Sequence, residues 1–207
     1  MKQKEKTRLT RIRIMNAAIA EYGSKGYHGG SINAICSENN ISKGLIYHNY
    51  KNKDDLYLEA VRYCYQQLTD YVLARSTCQG DLMERTYEKL HLRQEFFQAN
   101  PCYSNLFFSS LLEPPANLRQ QLSDICKDFA NASRASMIQQ LRSMELRPGI
   151  TPEIAAEYLF ICREMFTAYF QNQVYEEEEF RSVVEKHDAR FARMMDIILY
   201  GIAKNKD

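Results

Sequence analysis

Residues 31–56, SINAICSENNISKGLIYHNYKNKDDL, constrain the fold more than any other stretch. Ser31 is a helix-capping residue placed just before Ile32, Ile35 and Cys36, an apolar series at helical spacing, so the spacing predicts a helix of about two turns. Asn39-Asn40 ends it: asparagine tolerates the left-handed conformation, so Asn40 is placed to reverse the chain. Ser42 caps a second short helix, whose Ile46 and Tyr50 lie four residues apart and face inward with Ile41. Lys43, Gly44, Tyr47 and His48 then face outward. Asn52, with Asp55 in the reciprocal capping position, opens a third helix and leaves Lys53 in its first turn, a cation beside free N–H groups and a seat for a phosphate. Two short helices across a tight turn, the second with outward donors, form the helix-turn-helix arrangement that enters the DNA major groove.

Charge placement agrees with this reading. Residues 1–53 carry 10 Lys/Arg against 3 Asp/Glu, and residues 54–207 carry 17 against 23, so a net +1 conceals halves of +7 and −6. A basic N-terminal quarter suits a polyanion, and an acidic remainder stays off it.

Over residues 8–56 the chain resembles the tetracycline-repressor (TetR) family of transcription regulators, through the run Ser42-Lys43-Gly44-Leu45-Ile46-Tyr47-His48-Asn49-Tyr50-Lys51-Asn52-Lys53-Asp54-Asp55-Leu56. The resemblance implies that Ser31, Tyr47 and Lys53 hold phosphates while Lys43, Gly44, Leu45 and His48 face bases. Cys36 and Asn39-Asn40 depart from the family's usual alanine and alanine-glycine. Leu45 stands where threonine or another small residue is common, and an apolar side chain can read a thymine methyl but cannot donate a hydrogen bond.

The rest of the chain reads as helical. Residues 7–23 carry Ile12, Met15, Ile19 and Tyr22 at steps of three and four and end near Gly23 and Gly26. A long pattern from Lys53 leads onward through Leu56, Ala60, Val61, Cys64, Leu68 and Val72. Asp81 with Glu84 forms a capping box; Asn100-Pro101, Glu113-Pro114-Pro115 and Arg147-Pro148-Gly149 are breaks, and Thr151-Pro152-Glu153 opens another helix. The expectation is an all-α protein of about nine helices. Residues 1–53 would be a helix-turn-helix DNA-binding domain, and 54–207 a helical effector-binding and dimerisation domain reached through the helix that starts at 53.

Two long apolar patterns close the chain. Residues 180–202 repeat Phe180, Val183, Val184, His187, Phe191, Met194, Met195, Ile198, Leu199 and Ile202, while the helix from 152 is apolar on more than one face. We read Met165, Val184, Phe191, Met195, Ile198 and Ile202 as an interface with a second copy of the chain. Glu176 to Glu179, between the two helices, read as a solvated cap rather than a metal site. Phe97, Tyr103, Phe107, Phe129, Met137, Tyr158, Cys162, Phe166 and Tyr169 mix aromatic, sulfur and hydroxyl groups, as pockets between helices do. The family resemblance implies that they receive a small apolar or aromatic effector.

Other classes find little support. The four histidines are far apart in the sequence, and there is no glycine-rich loop, so we expect neither enzyme activity nor a metal or cofactor. Six scattered cysteines without C-x-x-C spacing suit reduced thiols, and no apolar run approaches the ~18 residues of a membrane span, so a cytoplasmic protein is expected. The functional expectation is a DNA-binding transcriptional repressor released from a palindromic operator by an effector. The alternative is a DNA-binding dimer that holds no small molecule and answers to protein or to DNA spacing.

Overall fold

The computed structural model describes residues 3–77, 79–175 and 180–202. Among them are nine α-helices and one 3-10 turn, with no strand. They are α1 (Gln3–Gly29), α2 (Ile32–Glu38), α3 (Lys43–Asn49), α4 (Lys53–Arg75), α5 (Leu82–Ala99), α6 (Pro101–Leu112), α7 (Arg119–Arg142), α8 (Pro152–Tyr175) and α9 (Phe180–Tyr200), with the 3-10 turn at Ala116–Leu118. The chain divides into two compact units, residues 1–71 with 95–125 and residues 72–94 with 126–207.

In the first unit α1 packs along α6 at close range. A Cβ on Gly23 would lie 2.3 Å from the Cys102 carbonyl oxygen, so only glycine permits this approach. Asn105 Nδ2 donates to the Gly23 carbonyl at 3.0 Å and pins the crossing. The break expected near Gly26 is real: Gly26 has φ 67°, and a short last piece of α1 follows it. Ile14, Met15, Ile19 and Tyr22 of α1, Ile35 of α2, Ile46 of α3 and Leu56, Ala60, Val61 and Cys64 of α4 are all buried to within about one percent of completely. Burial pushes the Tyr57 phenol up to about 12 and the Cys64 thiol well above its ordinary value.

The helix ends follow the caps read from the sequence. The Asp81–Glu84 box is reciprocal, with Asp81 N–H to Glu84 Oε2 at 2.8 Å and Glu84 N–H to Asp81 Oδ1 at 2.9 Å. Thr151 Oγ1 accepts from Ile154 N–H at 3.2 Å, and Pro152 opens α8. Two ends differ. α7 stops at Arg142, ahead of the expected break at Arg147-Pro148-Gly149. α9 ends at Tyr200, because Gly201 turns to φ 86° and donates back to Ile197 O at 2.8 Å, so Ile202 lies beyond the helical seam assigned to it.

In the second unit Leu82, Met83, Leu141, Ala156, Leu159 and Met195 form the core, and α8 packs on α9. Beside that core lies an ionic group: Arg93 pairs with Asp188, and His187 Nδ1 donates to Asp188 Oδ1 at 2.9 Å. The imidazole stacks against Phe191 and meets Phe166 and Phe170 edge-on at 5.1 and 5.0 Å. Glu176–Glu179 and Cys78 lie outside the described residues.

Candidate nucleic-acid interface

The N-terminus of α2 is built from Ser31. Its backbone is extended (φ −141°), and its Oγ accepts from Asn33 and Ala34 N–H at 3.1 and 3.3 Å. Both bonds use the oxygen as acceptor, so the hydroxyl hydrogen is left to donate. The Ser31 N–H goes to Glu21 Oε1 at 3.0 Å, and the other oxygen of Glu21 receives Lys25 at 2.7 Å. Glu21 is 5% exposed, and sequence reading missed it because its partner is ten residues away.

The turn between α2 and α3 takes the form its asparagines predict. Asn40 has φ 52°, the only positive φ of a non-glycine residue among the described residues. The Ile41 N–H returns to Cys36 O at 3.0 Å, the long bond of a Schellman ending. A second support was not expected: Arg13 Nη2 donates to the carbonyls of Asn39 and Asn40 at 2.5 and 3.1 Å, so a cation of α1 holds the negative end of α2. Arg13, Lys25 and Arg11, which pairs with Glu59, are therefore committed within the first unit.

Ser42 Oγ accepts from Leu45 N–H at 3.2 Å and starts α3. With Ile46 and Tyr50 buried, Lys43, Gly44, Tyr47 and His48 stand exposed and Leu45 is half-buried. Among the described residues, and apart from α3's own backbone and the adjoining residues, nothing lies within 4 Å of where a Gly44 Cβ would be. At the start of α4, Asn52 Oδ1 accepts from Asp55 N–H at 2.8 Å, but Asp55 Oδ2 takes the Lys51 N–H at 3.0 Å rather than that of Asn52. The Lys53 ammonium donates to His28 O at 3.3 Å and lies 4.7 Å from the centre of the Tyr27 ring.

The residues read as a ligand pocket are shared between the two units. Within the first unit Phe97 and Phe107 are buried against each other at 5.2 Å, and the hydroxyl of half-buried Tyr103 reaches Asn16 Oδ1 at 3.5 Å. Within the second unit Phe129, Met137, Cys162 and Phe166 are half-buried, whereas Tyr158 and Tyr169 are 62% and 48% exposed. These two tyrosines share an exposed stripe of α8 with Ile154, Ile161 and Met165. The reading of Met195 as interface is corrected, since it is 3% exposed and belongs to the core of its own unit. Val184, Phe191 and Ile198 are half-buried, while Met165 and Ile202 are exposed.

A capped short helix, a Schellman turn and a second short helix with polar groups outward define a helix-turn-helix DNA-binding protein. Residues 14–60 match the family model for bacterial regulatory proteins of the tetR family. Residues 14–60 are thus a DNA-binding domain of that family's kind, and the chain is a DNA-binding transcriptional regulator. It is 24% identical over 166 residues to the fatty acid metabolism regulator protein of Bacillus subtilis, covering 77% of this chain and 81% of that one. It is 33% identical over 61 residues to the biofilm operon negative transcriptional regulator IcaR of Staphylococcus epidermidis, covering 30% of this chain and 33% of that one. The fold is similar to that of FadR from Bacillus subtilis in complex with stearoyl-CoA, with a TM-score of 0.64 at 16% identity, over 93% of this chain and all of that one. Among the described residues no cluster of His, Cys, Asp and Glu suits a metal ion, and no helix is long and apolar enough to cross a membrane.

Proposed function

We propose that this chain acts in the cytoplasm as a homodimeric repressor, in which residues 1–53 hold a palindromic double-stranded DNA operator and residues 54–207 receive a small apolar or aromatic effector that releases it. The observation that carries the DNA half is that Lys43, Gly44, Tyr47 and His48 of α3 stand exposed, with half-buried Ser31 and Lys53 at the N-termini of α2 and α4. Gly44 adds to it: among the described residues nothing beyond α3's own backbone and the adjoining residues comes within 4 Å of a Cβ placed there, so packing within the chain gives no reason for glycine, whereas a close-lying DNA strand would. Ser31, Tyr47 and Lys53 are assigned to phosphates; Lys43, Gly44, Leu45 and His48 are assigned to base edges.

The dimer is supported by the α8 stripe of Ile154, Tyr158, Ile161, Met165 and Tyr169, apolar and aromatic side chains on one helix face that the single chain leaves exposed. We assign Met165 to its centre, with Val184, Phe191 and Ile198 of α9 beside it. The effector site is assigned to Phe129, Met137, Cys162 and Phe166 of the second unit, and the stearoyl-CoA held by the Bacillus subtilis protein supports an acyl thioester as the first candidate.

Genome-wide recovery of bound DNA, followed by titration of an acyl thioester against the recovered site, tests the proposal. Inverted repeats with half-sites about 34–36 Å apart are expected, with an operator affinity lowered roughly 5- to 150-fold by the ligand. Sites without two-fold symmetry would remove the dimeric operator. Operator affinity unmoved by the thioester would favour the DNA-binding dimer that holds no small molecule.

A further inference from the structure

A three-residue network in the first unit ties Asn117, a residue outside the DNA-binding region of the sequence, to the proposed phosphate seat. The Tyr27 hydroxyl donates to Asp54 Oδ1 at 2.5 Å. Asn117 Nδ2 donates both to the Tyr27 oxygen at 3.2 Å and to Asp54 Oδ2 at 3.3 Å. A carboxylate only accepts, so the amide nitrogen has to face Asp54, and its two hydrogens close a triangle among the three side chains. Asn117 is exposed, but its place is set by the 3-10 turn, whose Leu118 is 2% exposed and donates its N–H to Pro115 O at 2.9 Å.

The triangle holds the ring on which Lys53 rests. Tyr27 packs edge-on against Tyr57 at 5.0 Å, and its ring carries the Lys53 ammonium at 4.7 Å, while His28 O takes one ammonium hydrogen at 3.3 Å. An ammonium has three hydrogens, so this seat fixes its position and leaves donors for a phosphate. A lysine side chain is otherwise rotamer-rich, and holding it before DNA arrives removes an ordering cost from binding.

The geometry points to Tyr27, Asp54 and Asn117 as positioning residues for the Lys53 phosphate contact, so that the turn between α6 and α7 sets DNA affinity although it touches no DNA. This inference rests on the DNA-binding reading above. Asn117→Asp puts a second carboxylate against Asp54; the triangle opens or draws the ammonium inward, and either way Lys53 leaves its seat on Tyr27.

The experiment measures binding of wild type, Lys53→Ala, Asn117→Asp and the double variant to a random-sequence 30-base-pair duplex, because phosphate contacts are independent of sequence. Titrations run from about 50 to 200 mM salt. Lys53→Ala and Asn117→Asp should each lose roughly tenfold in affinity. Each should also lower the salt slope by about 0.9 per bound copy of the chain. The double variant should bind like Lys53→Ala alone. A merely structural role for Asn117 would change melting temperature without that shared slope loss or that non-additivity. Tyr27→Phe is the second probe: it keeps the ring under the ammonium, removes the hydroxyl, and should show a smaller loss with the same dependence on Lys53. Wild-type binding by both Asn117→Asp and Tyr27→Phe, or losses that add to that of Lys53→Ala, overturns the positioning role and leaves the DNA reading intact. Wild-type binding by Lys53→Ala itself overturns both the positioning role and the assignment of Lys53 to a phosphate.

Discussion

The helix-turn-helix region keeps its apolar side chains inside and turns Lys43, Tyr47 and His48 outward, whereas the second unit partly reverses this order. There half-buried Arg93 and Asp188 pair beside buried His187, and the exposed face of α8 carries Ile154, Tyr158, Ile161, Met165 and Tyr169. Each surface fits a different partner. Hydrated cations and hydroxyls meet a polyanion at little desolvation cost, and their attraction is tuned by salt. An exposed apolar stripe gains only when something covers it, at roughly 25 cal/mol per Å² removed from water. One difference in what faces outward thus underlies both the proposed DNA contact and the proposed contact with a second chain.

The sharpest way to break this comparison is to place one charge on either side of α8 and α9. Met165→Asp, on the exposed stripe, should leave the chain folded and dissociate the dimer, since an unpaired charge buried at an interface costs roughly 3–5 kcal/mol. Met195→Asp, in the core, should unfold it. Sedimentation of both variants at micromolar concentration decides; a Met165→Asp protein that sediments like wild type means that another surface pairs the chains.

The buried ionic group provides the next test. Asp188→Ala leaves Arg93 and His187 without their shared acceptor and should cost about 3 kcal/mol. Burial holds His187 below its ordinary value of 6.5, against the opposing hydrogen bond to Asp188. For Asp188 burial acts upward, but Arg93 and His187 outweigh it and keep the carboxyl below 3.8. A depressed histidine means that the unfolded chain takes up its proton first, so this contribution to stability falls as pH drops below 6.5. The Asp188 contribution persists above 3.8 and is lost as the pH falls through its lower folded value. Thermal unfolding between pH 7.5 and 5 should therefore show Tm declining with acid, and His187→Gln should flatten that decline. An equal decline in the variant would remove His187 as its source.

On the DNA face the effects are smaller and more specific. Lys53→Ala should weaken all DNA sequences alike by roughly tenfold, while His48→Ala should change the order of preferred bases. Competition binding on operator and random duplexes separates the two, and equal loss on both for His48→Ala would return His48 to an ordinary surface residue.

The smallest effect tests the turn itself. Asn40→Ala forces a Cβ without a polar head into φ 52° and should cost about 1 kcal/mol in thermal unfolding, whereas Asn40→Gly should cost nothing. A silent Asn40→Ala would mean that Arg13, bonded to the Asn39 and Asn40 carbonyls, holds the turn without help from residue 40.

What the sequence alone determined is what a few consecutive residues decide among themselves. Ser31, Ser42, Asn52 and the Asp81–Glu84 box bond to N–H groups two or three positions on, and Asn40 accepts a left-handed backbone by its own chemistry, so these were legible one helix end at a time. The exposed face of α3 followed from them, because Ile46 and Tyr50 had to turn inward. Only tertiary structure decided which distant groups meet: Arg13 on the carbonyls of α2, Glu21 on Ser31, and Asn117 on Tyr27 and Asp54. It also decided between equals. Met165 and Met195 both sit in apolar helical patterns, yet one is 67% exposed and the other 3%. Periodicity says that a face is apolar; whether that face meets its own chain or waits for another depends on how the helices around it pack, and no local pattern carries that information.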